Sequence, residues 1–365
     1  MSVKKRRNIR ILNKNIIKKI EKNKFVIILI IIVLINYITS FSFLENKAYT
    51  SNVSSKITQK VDIIGRCVGL KLYTKGVLVI GMSEVDSYKG EKVKPYENTG
   101  IQIGDMIQEM NGNKINNAKD VSQIVNKSEG KEISIKYLRE NNEIYTTIMP
   151  VKTCNGDYLL GLWVRDAASG IGTLTFYNEE NGSFAALGHG INDIDTGKLL
   201  NIANGELVTC KIVSIVKAKD GKVGEIRGTI DEGQKIGDVE RNTDIGVYGS
   251  VIDKNFIDAI KIKQVDAAER NEVKIGKAEI YCELENNKVE KYEIEIKKIY
   301  KGNYKDNKSM LIKITDSRLL EKTGGIIPGM SGTPIVQNGK FIGAITNVLL
   351  NNPKQGYAIF ADMMF

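Results

Sequence analysis

The chain has 365 residues, of which 42% are hydrophobic and 26% charged, with a formal net charge of +10. That length and apolar content support two or three folded domains and exclude a disordered or collagen-like chain. The charge is local: residues 1–24 hold ten Lys/Arg and one acid, Glu21, for a balance of +9, and the rest of the chain balances to +1. A basic tail on a nearly neutral body excludes nucleic acid as the explanation of the charge.

Directly after Lys24 come twenty uncharged residues, Phe25 to Leu44. At about 1.5 Å per residue a helix of that length spans the roughly 30 Å core of a bilayer. The sequence therefore predicts a transmembrane anchor over 25–44, with the tail 1–24 in the cytoplasm and Glu45 onward across the membrane. Glu45-Asn46-Lys47 lacks the small residues of a signal cleavage site, so the anchor is expected to stay uncleaved by signal peptidase. Residues 45–62 are polar and patternless and read as a tether. The four cysteines, Cys67, Cys154, Cys210 and Cys282, form no C-x-x-C pair, which leaves disulfides and buried thiols both open. One histidine and scattered cysteines give no metal-ligand set, and no cofactor is expected.

Residues 63–153 read as short strands with one helix. Val77–Ile80 is an aliphatic strand, Asn116 or Asn117 can cap a helix through Val125, and Ile133–Leu138 pairs with Ile144–Val151 around Glu140-Asn141-Asn142. The segment GIQIGDMIQEMNG, Gly100 to Gly112, resembles the PDZ signature. On that resemblance Gly69-Leu70-Lys71-Leu72 stands where PDZ domains keep their carboxylate-binding loop, with Lys71 in place of the middle glycine. Such a loop would capture a peptide carboxylate on backbone N–H groups while the peptide adds a strand to the sheet edge. A small β domain that only spaces its neighbour from the membrane is the bland alternative.

From residue 156 to 365 the pattern is almost wholly β. Apolar runs flank Asn178–Gly182, Asp220-Gly221, Asn286-Asn287 and Asn338-Gly339, and N-G and D-G between such runs are strong hairpin signals. About 200 residues of hairpins predict a sandwich or, better, a pair of barrels. The single histidine, His189, follows a predicted strand in Ala186-Leu187-Gly188-His189-Gly190. Gly329-Met330-Ser331-Gly332-Thr333-Pro334 lies 142 residues beyond it. Glycines on both sides of a serine let the backbone turn sharply, so the N–H groups of Gly329 and Ser331 can form an oxyanion hole. Alone, either segment reads as readily as a structural His or a capped turn. Together, A-L-G-H before G-M-S-G-T-P resembles the chymotrypsin-like serine peptidases, which implies Ser331 as nucleophile and His189 as its base. For the third member the residues leave a choice: Asp316, which could equally cap a short helix through Lys322, or Asp193 and Asp195, which could sit in a solvated turn.

The whole arrangement, and DSRLLEKTGGIIPGMSGTP (Asp316 to Pro334) above all, resembles the SpoIVB serine peptidase family. That resemblance implies a His/Asp/Ser triad with the Asp shortly before the Ser, which favours Asp316. It implies a mainly β fold: an anchor, a PDZ domain over 63–153 and a chymotrypsin-like double β-barrel over 156–365. It further implies a protein of the forespore inner membrane with its body in the intermembrane space. There the protein cuts itself within the tether, then cuts the inhibitory subunit of a mother-cell complex, so that sigma-K matures during sporulation. A non-catalytic PDZ scaffold and a general envelope quality-control protease are the alternatives. In the latter type the PDZ follows the protease, whereas here it comes first.

Overall fold

The computed structural model describes residues 59–285, 287–300 and 307–365. The tail, the expected anchor and the tether up to residue 58 lie outside them. No helix among the described residues is long and apolar enough to cross a membrane.

Strand β1 (Lys60–Met82) organises the body. Its first half carries Val61, Ile63, Ile64, Val68, Leu70 and Leu72, all buried, and its second half the buried run Val77-Leu78-Val79. At about 3.3 Å per residue its 23 residues are long enough to serve two domains. Gly76, at φ +111°, marks the division: its bare Cα lies against the Ile107 backbone, and the register with the facing strand shifts there. Beyond it lie β2 (Met106–Met110), α1 (Ala118–Lys127), β3 (Ile133–Arg139) and β4 (Asn142–Ile148). Asn117 caps α1 in a reciprocal capping box with Asp120, and Glu140 and Asn141 make the β3–β4 turn at positive φ. Val77, Ile107, Met110, Ile133, Ile135 and Tyr137 form the core of this PDZ-like unit.

The chain returns along β5 (Leu162–Asn178), antiparallel to β1 over nearly its whole length, from Met82↔Leu162 to Asp62↔Tyr177. It then builds β6 (Ser183–Ala186), β7 (Ile202–Val216), β8 (Glu225–Thr243) and β9 (Gly246–Val251). The order β5-β6-β9-β8-β7-β1, with β1 paired back to β5, closes a six-stranded barrel. Leu70, Leu72, Leu174, Phe184, Leu207 and Val247 fill it, and full burial of each such side chain is worth about 1.5–3 kcal/mol. A second closed barrel follows: β10 (Gly276–Glu285), β11 (Lys288–Ile299), β12 (Met310–Ile314), β13 (Pro334–Gln337), β14 (Lys340–Val348) and β15 (Gln355–Phe360). Helix α2 (Ser317–Thr323) lies between β12 and β13.

Three expectations are corrected here. The tether does not reach residue 62, because Lys60–Ile63 already pair with Lys263–Asp266. The peptidase fold does not begin at 156, because β1 supplies the first strand of its first barrel and the PDZ-like unit is inserted between the first and second strands. Gly69-Leu70-Lys71-Leu72 form no carboxylate loop: they lie inside the first barrel, paired to Ser169–Ile171 and Ala168 on one side and to Gly205–Val208 on the other. A strand with both edges occupied has no place for a peptide.

The barrels are tied where β1 crosses β10. Arg66 Nε lies 3.1 Å from Glu283 Oε2, which also accepts the Cys67 N–H at 3.0 Å, while Glu283 Oε1 accepts the Asn287 N–H at 2.6 Å. The Glu283 side chain is 1% exposed. Arg66→Ala therefore leaves a buried carboxylate without its cation and is expected to cost about 3 kcal/mol, read as a lower urea midpoint at unchanged slope.

Candidate active site

His189 and Ser331 come from different barrels and meet between them. After β6 the chain turns through two successive left-handed residues, Leu187 (φ +71°) and Gly188 (φ +68°). Such a φ costs a leucine on the order of 1 kcal/mol. It is held because Leu187 is buried against Gly172, where a Cβ has no room, and because the Leu187 N–H donates to Thr173 O at 3.2 Å. The result projects His189, half-buried, from the rim of the first barrel.

On the second barrel Gly329 (φ +99°) and Gly332 (φ +90°) bracket Ser331. Three carbonyls of this turn are held by β5 of the other barrel. Thr173 Oγ1 donates to Gly329 O at 2.9 Å, the Thr173 N–H to Ser331 O at 3.0 Å, and Thr175 Oγ1 to Gly332 O at 2.7 Å. With the carbonyls bound outward, the Gly329 and Ser331 N–H groups donate to no backbone carbonyl among the described residues. That is the arrangement an oxyanion hole requires. A cavity of about 540 Å³ runs past Ser331, Gly329 and His189, with Ile171, Ile327 and Val348 among its apolar walls. In this resting geometry Ser331 Oγ donates to Thr346 O at 2.9 Å and His189 Nδ1 lies 2.8 Å from Gly190 O, so serine and imidazole are neighbours without a mutual hydrogen bond. Catalytic bonds of this kind often tighten only once substrate is bound.

Asp316 is joined to His189 by no hydrogen bond among the described residues in this resting geometry. It caps α2: Oδ1 accepts from the Arg318 N–H and Nε at 2.9 and 3.1 Å, and Oδ2 accepts from Arg318 Nη2 at 2.8 Å and the Glu293 N–H at 3.3 Å. Arg318 opposite it holds the carboxyl below its ordinary range. Arg318 itself lines a different groove, which shares no residue with the cavity at Ser331. Asp193 is also committed elsewhere: its Oδ1 accepts from the N–H groups of Asp195 and Thr196 at 3.1 and 2.9 Å, and its Oδ2 pairs with Arg165. Burial pushes its carboxyl up, but the Thr196 and Arg165 bonds outweigh burial and hold it low. Asp195 pairs with Arg165 at 2.7 Å.

A further carboxylate shares an opening with the histidine. Asp244, in the turn from β8 to β9, lines a second opening together with His189, Asn192, Asn307, Lys308 and Tyr357. Its signal in the sequence is slight, a T-D-I-G turn between two strands. The open strand edge of the PDZ-like unit lies elsewhere than Gly69–Leu72. Leu162–Arg165 of β5 pair with β1 on one side only, and α1 flanks the other, its first N–H bound to Asp166 Oδ2 at 2.8 Å. Among the described residues all four cysteines but Cys154 are at least partly buried, and all are free thiols.

Two closed six-stranded barrels with serine and histidine facing across their junction define a chymotrypsin-like serine peptidase fold. Residues 156–365, more than half of the chain, match the SpoIVB peptidase S55 family, and residues 69–149 match the PDZ domain. The chain belongs to the SpoIVB peptidase family. Among solved structures it is similar to the PDZ domain of the SdrC-like protein from Listeria monocytogenes, at 18% identity and TM-score 0.20, covering 25% of this chain and 87% of that one. It is also similar to the HtrA-type protease AlgW with decapeptide, at 10% identity and TM-score 0.31, covering 87% of this chain and 65% of that one.

Asp316→Ala is expected to cost about 1 kcal/mol at neutral pH through the lost cap. Because the folded carboxyl lies below its ordinary 3.8, this contribution is full above that pH and fades as pH falls through the lower folded value. Urea midpoints of the two proteins should thus differ at pH 7 and converge in the acid limb.

Proposed function

We propose that the protein is a membrane-anchored serine endopeptidase of sporulation. In this reading it sits in the forespore inner membrane through residues 25–44, with the barrels in the intermembrane space. It cuts its own tether between the anchor and β1, and then the inhibitory subunit of the mother-cell complex that matures sigma-K. The observation that carries the peptidase reading is the single apolar cavity that holds Ser331, His189 and the free N–H groups of Gly329 and Ser331. Membership of the SpoIVB peptidase family supports the biological setting, and the one-sided edge Leu162–Arg165 supports peptide binding by strand addition at the PDZ unit.

The chemistry follows from those groups. Ser331 Oγ leaves the Thr346 carbonyl and attacks the scissile peptide carbon, while His189 takes its proton. The carbonyl oxygen becomes an oxyanion and is met by the two N–H groups. Collapse expels the amine, which receives the proton back from His189 and leaves an acyl ester on Ser331. Water, activated by the same imidazole, hydrolyses the ester. Ile171, Ile327 and Val348 beside the nucleophile favour an apolar side chain next to the cut bond.

The purified full-length chain in detergent is expected to react with a fluorophosphonate probe at Ser331 and to shorten itself within residues 45–59. Ser331→Ala and His189→Ala should stay full length, and Ser331→Ala should not label. Self-shortening of Ser331→Ala at the wild-type rate would refute the nucleophile assignment.

A further inference from the structure

We propose that Cys67 and Cys210 are a dithiol that oxidises to a disulfide and staples the seam between β1 and β7 of the first barrel. The pair uses no group of the Ser331 cavity, so it stands apart from the peptidase reading. The two strands run antiparallel in one register from Tyr73↔Asn204 to Val68↔Thr209, and the next pair in that register is Cys67 with Cys210. Directly opposed residues on such strands lie about 4.5–5.5 Å apart at Cα, and a disulfide needs about 4.4–6.8 Å. The side chains meet as well: the Cys67 thiol hydrogen-bonds to the Cys210 sulfur.

The sheet forks at this pair. Cys67 gives its N–H to Glu283 Oε2 of β10 at 3.0 Å, while Cys210 runs on along β8, opposite Ile230. A bond across the fork continues covalently a ladder whose backbone register ends one pair earlier. On its other side Cys67 faces Thr173, the residue whose hydroxyl and amide hold the serine turn. The Cys210 sulfur has a defined seat: a Cβ at Gly228 would lie 2.8 Å from it, so Sγ fills the space that the glycine leaves.

Cys210 is half-buried and Cys67 buried, so an external reagent reaches Cys210 first. The hydrogen bond between them, with burial, holds the Cys67 thiol above its ordinary range, and the same bond holds the Cys210 thiol below it. Cys210 is therefore the sulfur that attacks. Its thiolate displaces one thiolate from an external disulfide and forms a mixed disulfide with the other half. The Cys67 sulfur gives up its proton, attacks Cys210 Sγ and displaces the second thiolate. The two cysteine protons pass to the two released thiolates, so one external disulfide is reduced to two thiols as the dithiol is oxidised. The other cysteines are placed apart from this exchange. Cys154 donates to Ser87 O at 3.7 Å, and Cys282 is buried on β10, where burial pushes its thiol up.

Cys67 and Cys210 stand 143 positions apart, and the span between them holds the PDZ-like unit and His189. Closing so long a loop restricts the unfolded chain far more than the folded one. The experiment compares the full-length chain in detergent before and after incubation with oxidised glutathione. Quenched with acid, alkylated and digested without reductant, the oxidised protein should yield one peptide pair joined through Cys67 and Cys210. In a Cys154→Ala background, which removes the exposed thiol, the thiol count in urea should fall from three to one. The melting temperature should rise by about 5–10 °C, and dithiothreitol should reverse both changes. Cys210→Ala, at the half-buried position, should melt at one temperature with and without oxidant, whereas Cys282→Ala should still form the bond. A glutathione adduct that stays on Cys210, a bond from Cys67 to Cys282, or a melting temperature that oxidation leaves unchanged would overturn the proposal. Each readout is separate from labelling at Ser331, so failure here leaves the nucleophile assignment standing.

Discussion

The pairing of β1 with β5 is the constraint on which the rest of the molecule depends. One antiparallel ribbon, from Met82↔Leu162 to Asp62↔Tyr177, closes the first barrel at one end and carries the PDZ unit at the other. Because the same two strands run through both units, the domains share backbone hydrogen bonds where a flexible linker would leave only a tether. The strand that closes the barrel also supplies Thr173 and Thr175, which grip the nucleophile turn. Barrel closure, domain attachment and catalytic geometry therefore stand or fall with a single ladder.

That ladder places the PDZ groove edge and the catalytic rim on one strand. Leu162–Arg165 form the open edge beside α1, and some six residues on, Ile171 already lines the cavity of Ser331. Arg165, at the end of that edge, holds Asp193 and Asp195 in the loop after His189. The loop bearing the histidine is thus fastened to the PDZ unit on one side and, through Asn242, to the β8–β9 turn on the other.

What could be read from sequence was what depends on neighbours in the chain. Asn338-Gly339 and Glu140-Asn141 make their turns because consecutive residues adopt positive φ, a local preference that residue type reveals. The Ser331 turn was legible for the same reason, since Gly329 and Gly332 are needed where they stand. The span of β1 was not legible. Its pairings reach from 28 positions away (Leu78↔Met106) to 206 (Lys60↔Asp266), and the charged and glycine positions between its halves look like the end of a tether and the start of a domain. The role of the acid was not legible, because a helix cap and a triad carboxylate ask for the same residue type; the contact of Asp316 with Arg318 is a fact of three dimensions.

The grip of Thr173 and Thr175 on the serine turn gives the active site a divided ownership. The nucleophile belongs by sequence to the second barrel, but the carbonyls that set its pose are held by hydroxyls and an amide of the first. The histidine belongs to the first. Neither barrel, folded alone, would possess an oxyanion hole or a positioned serine. A complete site in this chain arises only as the barrels dock, and a nascent molecule with only its first barrel complete lacks Ser331 altogether.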